Sequence, residues 1–220
     1  MAKVITLAAR KGGSGKSTIA ASLAVAAHQA GEGVVILDLD PQRSLKDWHD
    51  RRELPGIHYR EDDADTLADR LARIHAHAAT TLVVIDTAGD FSPAVTAALS
   101  ASDLTIVPVK PSLVDITAVQ RTVEGLRTLK RKHAFVVSQA MPTAPARVEE
   151  AARILVRTAP LAQAIISTRA DYLDAMMMGQ GVTEYAPTGR AAEEIRALWT
   201  WPRMSWRRES NHGGQAQVDG

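Results

Sequence analysis

A glycine-rich loop near the amino terminus constrains the fold of this chain more than any other feature. Residues 10–18 read RKGGSGKST; the apolar segment 3–8 precedes this loop, and the alanine-rich segment 17–30 continues from it. A strand, a glycine-rich turn and a helix in this order are typical of proteins that hold phosphate groups at a helix amino terminus. The pattern therefore predicts an α/β fold that begins with a phosphate-binding loop.

Short apolar segments alternate with helical patterns along the rest of the chain. The further strand candidates are VVILD (34–38), TLVVID (81–86), LTIVPV (104–109), AFVVS (134–138) and the weaker AIIS (164–167). Further helices are predicted near residues 64–78, 91–101, 115–131, 145–158 and 189–199. Continuously apolar strands separated by helices indicate a doubly wound, mostly parallel sheet flanked by helices.

The composition excludes several classes of function. The chain has no cysteine, which rules out disulfides and thiolate-held iron–sulfur clusters. Its formal net charge is +1, so binding to nucleic acid or a membrane would need a local basic patch. No signal peptide and no apolar run of membrane-spanning length is recognisable, so we expect a cytoplasmic protein.

The length of 220 residues favours one domain, which we place at residues 1–200. Residues 201–220 are expected to form a partly disordered C-terminal tail, because 209–220 is polar and contains glycine. Pro202 is expected to interrupt any long amphipathic helix in this region.

The loop at residues 10–18 carries the residue types that bind a nucleoside triphosphate. It departs from the motif G-x-x-x-x-G-K-[ST] at the first position, where Arg10 stands in place of glycine. Lys16 is expected to neutralise phosphate charge, and the Ser17 hydroxyl is expected to face Mg²⁺. The residues predicted to contact ATP here are Gly12, Gly13, Ser14, Gly15, Lys16, Ser17 and Thr18.

Carboxylates follow two other strand candidates. Asp38 and Asp40 end the second strand, and Asp86 ends the segment VVID. Because the carboxyl ends of parallel strands meet at one edge of a sheet, these side chains should lie beside the phosphate loop. Asp38 and Asp40 can therefore face one Mg²⁺–water shell, and Asp86 is a further acidic residue placed near Mg²⁺.

Four segments together resemble the ParA-type partition ATPases, which belong to the P-loop NTPases with a deviant Walker A loop. The segments are KGGSGKST (11–18), DLDPQRS (38–44), VVIDTAGD (83–90) and IVPVKPS (106–112). The resemblance runs from Lys3 to about Leu198, and residues 167–187 look like the C-terminal part of the small, ParF-like members.

This resemblance implies roles for particular residues. Lys11 matches a second lysine that reaches across a dimer interface to the phosphates of the partner's ATP. Asp40 matches the residue that orients the attacking water, with Asp38 and Asp86 nearer the metal, so the implied magnesium ligands are Ser17, Asp38 and Asp86. The implied catalytic residues are Lys11, Lys16 and Asp40. Segments that match Pro108–Pro111 and 138–141 flank the adenine in the family, which makes Pro108, Pro111 and Gln139 further candidates for ATP binding.

The resemblance also implies an ATP-bound homodimer that binds DNA without sequence preference and associates with the nucleoid. Its hydrolysis is slow and is stimulated by DNA and by a centromere-binding partner, a ParB-type or ribbon-helix-helix protein. Arg169 and Arg190 fall in the region where family members contact DNA. Arg127, Lys130 and Arg131 lie off the apolar stripe of the 115–131 helix, and they are either further DNA contacts or part of a solvated face.

Two other functions remain open from the sequence. A MinD-like ATPase shares the loop and the second lysine but acts at a membrane through a C-terminal amphipathic helix. Pro202 argues against such a helix, although the Trp- and Arg-rich segment 199–209 is suited to a membrane interface. A metabolic ATP-dependent ligase or kinase of the same fold would instead need a small-molecule pocket.

Overall fold

One parallel sheet forms the centre of the molecule. The computed structural model describes residues 1–90 and 92–213, the last ten of them as backbone only. Over these residues the sheet has seven strands in the order β3-β2-β4-β1-β5-β6-β7, and all neighbouring pairs are parallel. The strands are β1 (Lys3–Leu7), β2 (Val34–Leu39), β3 (Ile57–Glu61), β4 (Leu82–Thr87), β5 (Leu104–Val109), β6 (His133–Ala140) and β7 (Leu161–Ser167).

Helices cover both faces of the sheet, as the continuously apolar strands predicted. The helices are α1 (Lys16–Gln29), α2 (Ser44–Asp50), α3 (Leu67–Ala76), α4 (Pro93–Ala101), α5 (Leu113–Thr128), α6 (Pro145–Leu155), α7 (Ala170–Met177), α8 (Val182–Tyr185) and α9 (Arg190–Gly213). In β4, Leu82 and Val84 pack under α1 and the C-terminal helices, whereas Val83 and Ile85 pack under α3 and α4. The predicted doubly wound α/β class is confirmed.

Three regions differ from the sequence predictions. The strand β3, with the sequence IHYRE, was not predicted, because its alternating apolar and charged residues form a half-covered edge strand rather than a buried one. Helices α2, α7 and α8 were also missed; each is short. Within the described residues, no helix has the length and apolar character needed to cross a membrane.

The expected interruption at Pro202 is wrong, because α9 continues through this residue to Gly213. Trp199 is buried and Trp201 packs against the same core, so tertiary contacts support the turn that the proline weakens. Residues 209–213, predicted to belong to a disordered tail, extend this helix. Residues 214–220 lie outside the described residues, so the prediction for them is not tested.

Candidate nucleotide-binding site

The phosphate loop joins β1 directly to α1, the arrangement that its sequence predicted. Gly15 occupies the position before the helix with φ of 90°, and Gly13 has φ of 70°, a left-handed conformation that favours glycine. Lys16 is the first residue of α1 and is buried, with 6% of its surface exposed. The loop therefore directs a lysine and a helix amino terminus toward the same space, where both attract anions.

The loop lines a cleft of about 620 Å³ at the carboxyl edge of the sheet. Residues 12–18 form one side of the cleft, and Asp40 to Gln42 with residues 88–90 form another. Leu173 and Met176 of α7 complete its rim. The cleft brings together the phosphate loop and Asp40, which are 22 or more residues apart in sequence.

Asp38 and Asp86 lie side by side on neighbouring strands, since β2 and β4 pair in the register Asp38 to Asp86. One Asp38 oxygen accepts a hydrogen bond from the Asp40 backbone N–H at 3.0 Å, and the other accepts one from the Tyr59 hydroxyl at 3.0 Å. Asp38 thus holds the start of the loop that carries Asp40.

Asp86 is fully buried, and its Oδ2 atom has no hydrogen-bond partner within the described residues. Burial is the main cause that raises the pKa of Asp86, to about 7, and the charges of Asp38 and Asp40 add to it. The hydrogen bond from the Ser17 hydroxyl and the positive charge of Lys16 lower the pKa of Asp86, but by less. A buried carboxyl oxygen without a donor is a group that a cation or a metal-bound water would satisfy.

The donor set fits magnesium better than a transition metal. In the described part of the chain there is no cluster of three or more His, Cys, Asp or Glu side chains that would enclose a metal. Mg²⁺ commonly uses one or two carboxylates and takes its remaining ligands from water and phosphate. Asp86 and Ser17 would hold such an ion, with Asp38 beside them.

Asp40 lies where the strand β2 gives way to a turn that leads into α2. Its Oδ1 atom accepts a hydrogen bond from the Gln42 backbone N–H at 3.0 Å, which orients the carboxylate. The residue is half-buried and lines the same cleft as Lys16. This position allows the carboxylate to reach a water beside a bound phosphate.

A second cavity of about 240 Å³ adjoins the phosphate loop over the ends of β6 and β7. It is lined by Ser14, Gly15 and Thr18 of the loop region, by Ser138 of the predicted adenine segment 138–141, and by three residues that the sequence did not assign to ATP, namely Ser167, Thr168 and Tyr172. Ser167 and Thr168 lie at the end of β7, but serine and threonine at strand ends are too common to signal a site.

The three residues predicted to flank adenine do not lie together. Gln139 lines the second cavity, and its side-chain amide donates to the Gly13 carbonyl at 2.6 Å, so it also anchors the phosphate loop. Pro108 instead lines a small cavity beneath residues 9–14, and Pro111 lines neither of the two.

Lys11 is directed away from the phosphate cleft of its own chain. Its ammonium pairs with Asp115 of α5 at 3.0 Å, and about half of its side chain is exposed. Burial raises the pKa of Asp115, but hydrogen bonds from Ser112 and Lys11 lower it by more, so the pKa of Asp115 lies below its ordinary value. The two lysines of the loop thus occupy different environments, one buried at the cleft and one on the outer surface.

An open groove of about 590 Å³ lies beside Lys11 on this surface. Leu113 and Val114, in the first turn of α5, are 69% and 68% exposed there, and Arg10 and Arg121 border them. Two neighbouring aliphatic side chains that are this exposed are typical of a contact surface.

The five basic residues predicted to contact DNA fall in two regions. Arg127, Lys130 and Arg131 are exposed at the carboxyl end of α5, where Arg127 donates to the Thr158 carbonyl at 2.8 Å. Arg190 is exposed at the start of α9. Arg169 is paired with Glu194 at 2.7 Å and lines the second cavity, so its cation already has a partner.

Comparison with known proteins identifies the class that this fold and site define. The family model of the CobQ/CobB/MinD/ParA nucleotide binding domain matches residues 5–182. The chain therefore belongs to this family of ParA- and MinD-type ATPases, as the loop and strand-end motifs predicted.

Among curated relatives, Protein ParA from Rhizobium radiobacter is 32% identical over 146 residues, which are 63% of this chain and 65% of that protein. Maintenance of carboxysome distribution protein A from Halothiobacillus neapolitanus is 28% identical over 214 residues, covering 89% of this chain and 95% of that protein. The chain thus spans slightly less than two thirds of the first relative and nearly all of the second.

Among solved structures, the MinC:MinD cell division protein complex from Aquifex aeolicus matches with a TM-score of 0.80 and 18% identity. The match covers 92% of this chain and 96% of that one. At this identity the likeness concerns the fold.

Proposed function

We propose that this protein is an ATPase that dimerises on ATP, binds DNA without sequence preference and drives the partition or positioning of a cargo. The observation that carries the proposal is the separation of the two loop lysines. Lys16 is buried at the phosphate cleft, whereas Lys11 is on an outer surface beside exposed Leu113 and Val114. A second subunit that covers this surface would bring its own triphosphate within reach of Lys11.

The charges of the two bound triphosphates explain why dimerisation would depend on ATP. Two triphosphates that face each other repel, and a lysine contributed by each subunit offsets this repulsion only while the triphosphate is present. Lys11 must leave Asp115 to take this role. ATP therefore stabilises the dimer, and hydrolysis weakens it.

Hydrolysis needs mainly positioning and charge neutralisation. Lys16 and the amino terminus of α1 hold the phosphates, and Mg²⁺ at Ser17 and Asp86 neutralises charge when it is bound. Asp40, oriented by its bond to the Gln42 N–H, positions the attacking water. The base of ATP would lie in the second cavity, which Gln139, Thr168 and Tyr172 help to line.

The cargo and partner are proposed from the relatives. Relatives of this chain are named for chromosome partitioning and for the distribution of carboxysomes, so the positioned object is DNA or a protein assembly. A centromere-binding ParB-type or ribbon-helix-helix protein is the partner in the first case. In either case the ATP-bound dimer would bind the DNA of the nucleoid and position its cargo there.

DNA binding measured with ATP, ADP or no nucleotide, at two salt concentrations, tests this function. We expect wild type to bind duplexes of unrelated sequence only with ATP, and we expect the affinity to fall steeply with salt because phosphate contacts release counterions. Lys11→Ala should abolish binding, whereas Lys46→Ala, which removes an exposed lysine of α2, should not. Absence of ATP-dependent binding in both salts would refute the proposal.

A second candidate is a membrane-associated positioning ATPase. The continuation of α9 through Pro202 favours it, because a broken helix was the main argument against a C-terminal membrane contact. Co-sedimentation with anionic vesicles in the presence of ATP, without DNA binding, would support this alternative.

A further inference from the structure

A groove on the opposite edge of the molecule is lined by arginines, two of which have no ion-pair partner among the described residues. It lies between α3 and the edge strand β3, at the end of the sheet where strands begin, and its volume is about 490 Å³. The residues that extend into it are mainly His58, Arg60, Arg70, Arg73, Ile74 and His77, and we call it the basic groove. No residue of the phosphate cleft lines it.

The charges of the basic groove are not balanced locally. Arg70 pairs with Asp62 at 2.9 Å, and that carboxylate is fully buried. Arg60 donates to the Tyr59 carbonyl at 2.7 Å and makes no ion pair within the described residues. Arg73 likewise has no acidic partner in the described part of the chain, and no lining residue of the groove is Asp or Glu.

The floor and one wall of the basic groove suit a polypeptide. Val35 and Ile74 give the floor an apolar character. The wall is β3, which pairs only with β2 among the described strands, so its outer edge is open to a further strand except at the Tyr59 carbonyl, which accepts from Arg60. An extended segment that docks at such an edge gains main-chain hydrogen bonds and presents alternate side chains to each face.

The chemistry favours an acidic segment of a protein over nucleic acid. Single-stranded nucleic acid is usually bound by aromatic side chains on which bases stack, and no lining residue is Trp, Tyr or Phe. A duplex presents phosphates on a wide convex surface, which does not enter a groove between a strand and a helix. Carboxylates of a peptide can instead pair with Arg60 and Arg73 while its apolar side chains cover Val35 and Ile74.

We propose that the basic groove between β3 and α3 is a docking site for an acidic segment of a partner protein, with Arg60 and Arg73 as its charge-pairing residues. This site is independent of the nucleotide and lies away from the surface around Lys11. It gives the ATPase a second place where another protein can attach, at the end of the sheet away from the cleft.

Fluorescence anisotropy tests the proposal on nucleotide-free protein. The probe is a labelled peptide of about eight residues, long enough to span β3, in which Glu and Leu alternate. A second peptide has Gln in place of Glu, and an unlabelled single-stranded oligonucleotide serves as competitor. The variants are Arg60→Ala/Arg73→Ala and the matched control Arg153→Ala/Arg157→Ala, which removes two exposed arginines at the end of α6.

We expect the acidic peptide to bind wild type and the control equally, and binding to the groove variant to weaken roughly tenfold. The neutral peptide should bind more weakly than the acidic one, and basal ATPase activity should be the same in all three proteins. Equal binding to both variants, no binding to wild type, or no preference for the acidic peptide would overturn the proposal. Displacement of the peptide by the oligonucleotide with the same dependence on Arg60 and Arg73 would also overturn it, in favour of a nucleic-acid site.

Discussion

At the scale of single residues, the acidic side chains near the phosphate cleft differ in burial and in hydrogen bonding, which suits them to different roles. Asp38 is held by two hydrogen bonds to its own chain, and Asp40 is oriented by a turn. Asp86 is buried, and no donor among the described residues reaches its Oδ2 atom. Nearby Tyr59 donates to Asp38, and burial raises the pKa of Tyr59, so this donor stays protonated at neutral pH.

The raised pKa of Asp86 predicts how stability depends on pH. The unfolded carboxyl ionises near its ordinary pKa of 3.8, whereas the folded one keeps its proton up to about pH 7. Between these values the folded state binds more protons, so the free energy of unfolding contributed by this group falls as pH rises and is lost above pH 7.

We therefore expect Asp86→Asn to be more stable than wild type by roughly 1–3 kcal/mol at pH 8, and we expect the difference to shrink toward pH 5. Urea unfolding of both proteins without nucleotide or Mg²⁺ measures it. A difference that stays constant from pH 5 to pH 8 would contradict the assignment.

The ion pair between Lys11 and Asp115 gives a second prediction at this scale. If Lys11 must leave Asp115 to contact a partner's phosphates, Asp115→Asn should lower the ATP concentration needed for dimerisation by up to about fivefold, as expected for a partly exposed pair. Light scattering during an ATP titration measures this, with Asp50→Asn as a control for an exposed ion pair elsewhere. An unchanged or raised midpoint for Asp115→Asn would show that this pair does not restrain Lys11.

At the scale of elements, the short helix α2 connects the Asp40 turn to the C-terminal helices. Arg52, just after α2, is almost fully buried and makes two hydrogen bonds of 2.8 Å with Glu184 of α8. It also donates to the Gly179 carbonyl and lies over the Trp48 ring. These contacts fix α2 against the segment between α7 and α8.

Glu184→Gln should lower the free energy of unfolding by about 3 kcal/mol, because a buried guanidinium is left without its counter-ion. Urea denaturation of the variant beside Asp50→Asn, which removes an exposed pair on α2, checks the prediction. The control should unfold like wild type. A Glu184→Gln protein as stable as the control would show that Arg52 is compensated in another way.

The elements also show what the sequence could and could not predict. Strands buried on both faces, such as 82–87, have a continuous apolar pattern, and the loop and carboxylates at their ends could be assigned to one edge. The edge strand β3 could not, because its apolar and charged residues alternate. The helices α2 and α7 could not, because they are short, and α2 is held by contacts between residues distant in sequence, such as Arg52 with Glu184. The Pro202 prediction failed for the same reason, since packing of Trp199 and Trp201 overrides a local helix breaker. The residues predicted to bind adenine and DNA stay predictions.

At the scale of the whole molecule, the sheet separates two surfaces. Its carboxyl edge carries the phosphate cleft and the exposed surface around Lys11, and its amino edge carries the basic groove. Under the two proposals above, nucleotide state controls association at the first surface, and the second surface is available to another protein in either nucleotide state.

The measurement that tests the central claim most directly is the molar mass of wild type, Lys11→Ala and Lys16→Ala with Mg-ATP, determined by light scattering beside a direct assay of ATP binding. We predict that wild type doubles its mass with ATP but not with ADP. Lys11→Ala should bind ATP and stay monomeric, whereas Lys16→Ala should lose ATP binding itself. A Lys11→Ala protein that dimerises like wild type would contradict the account.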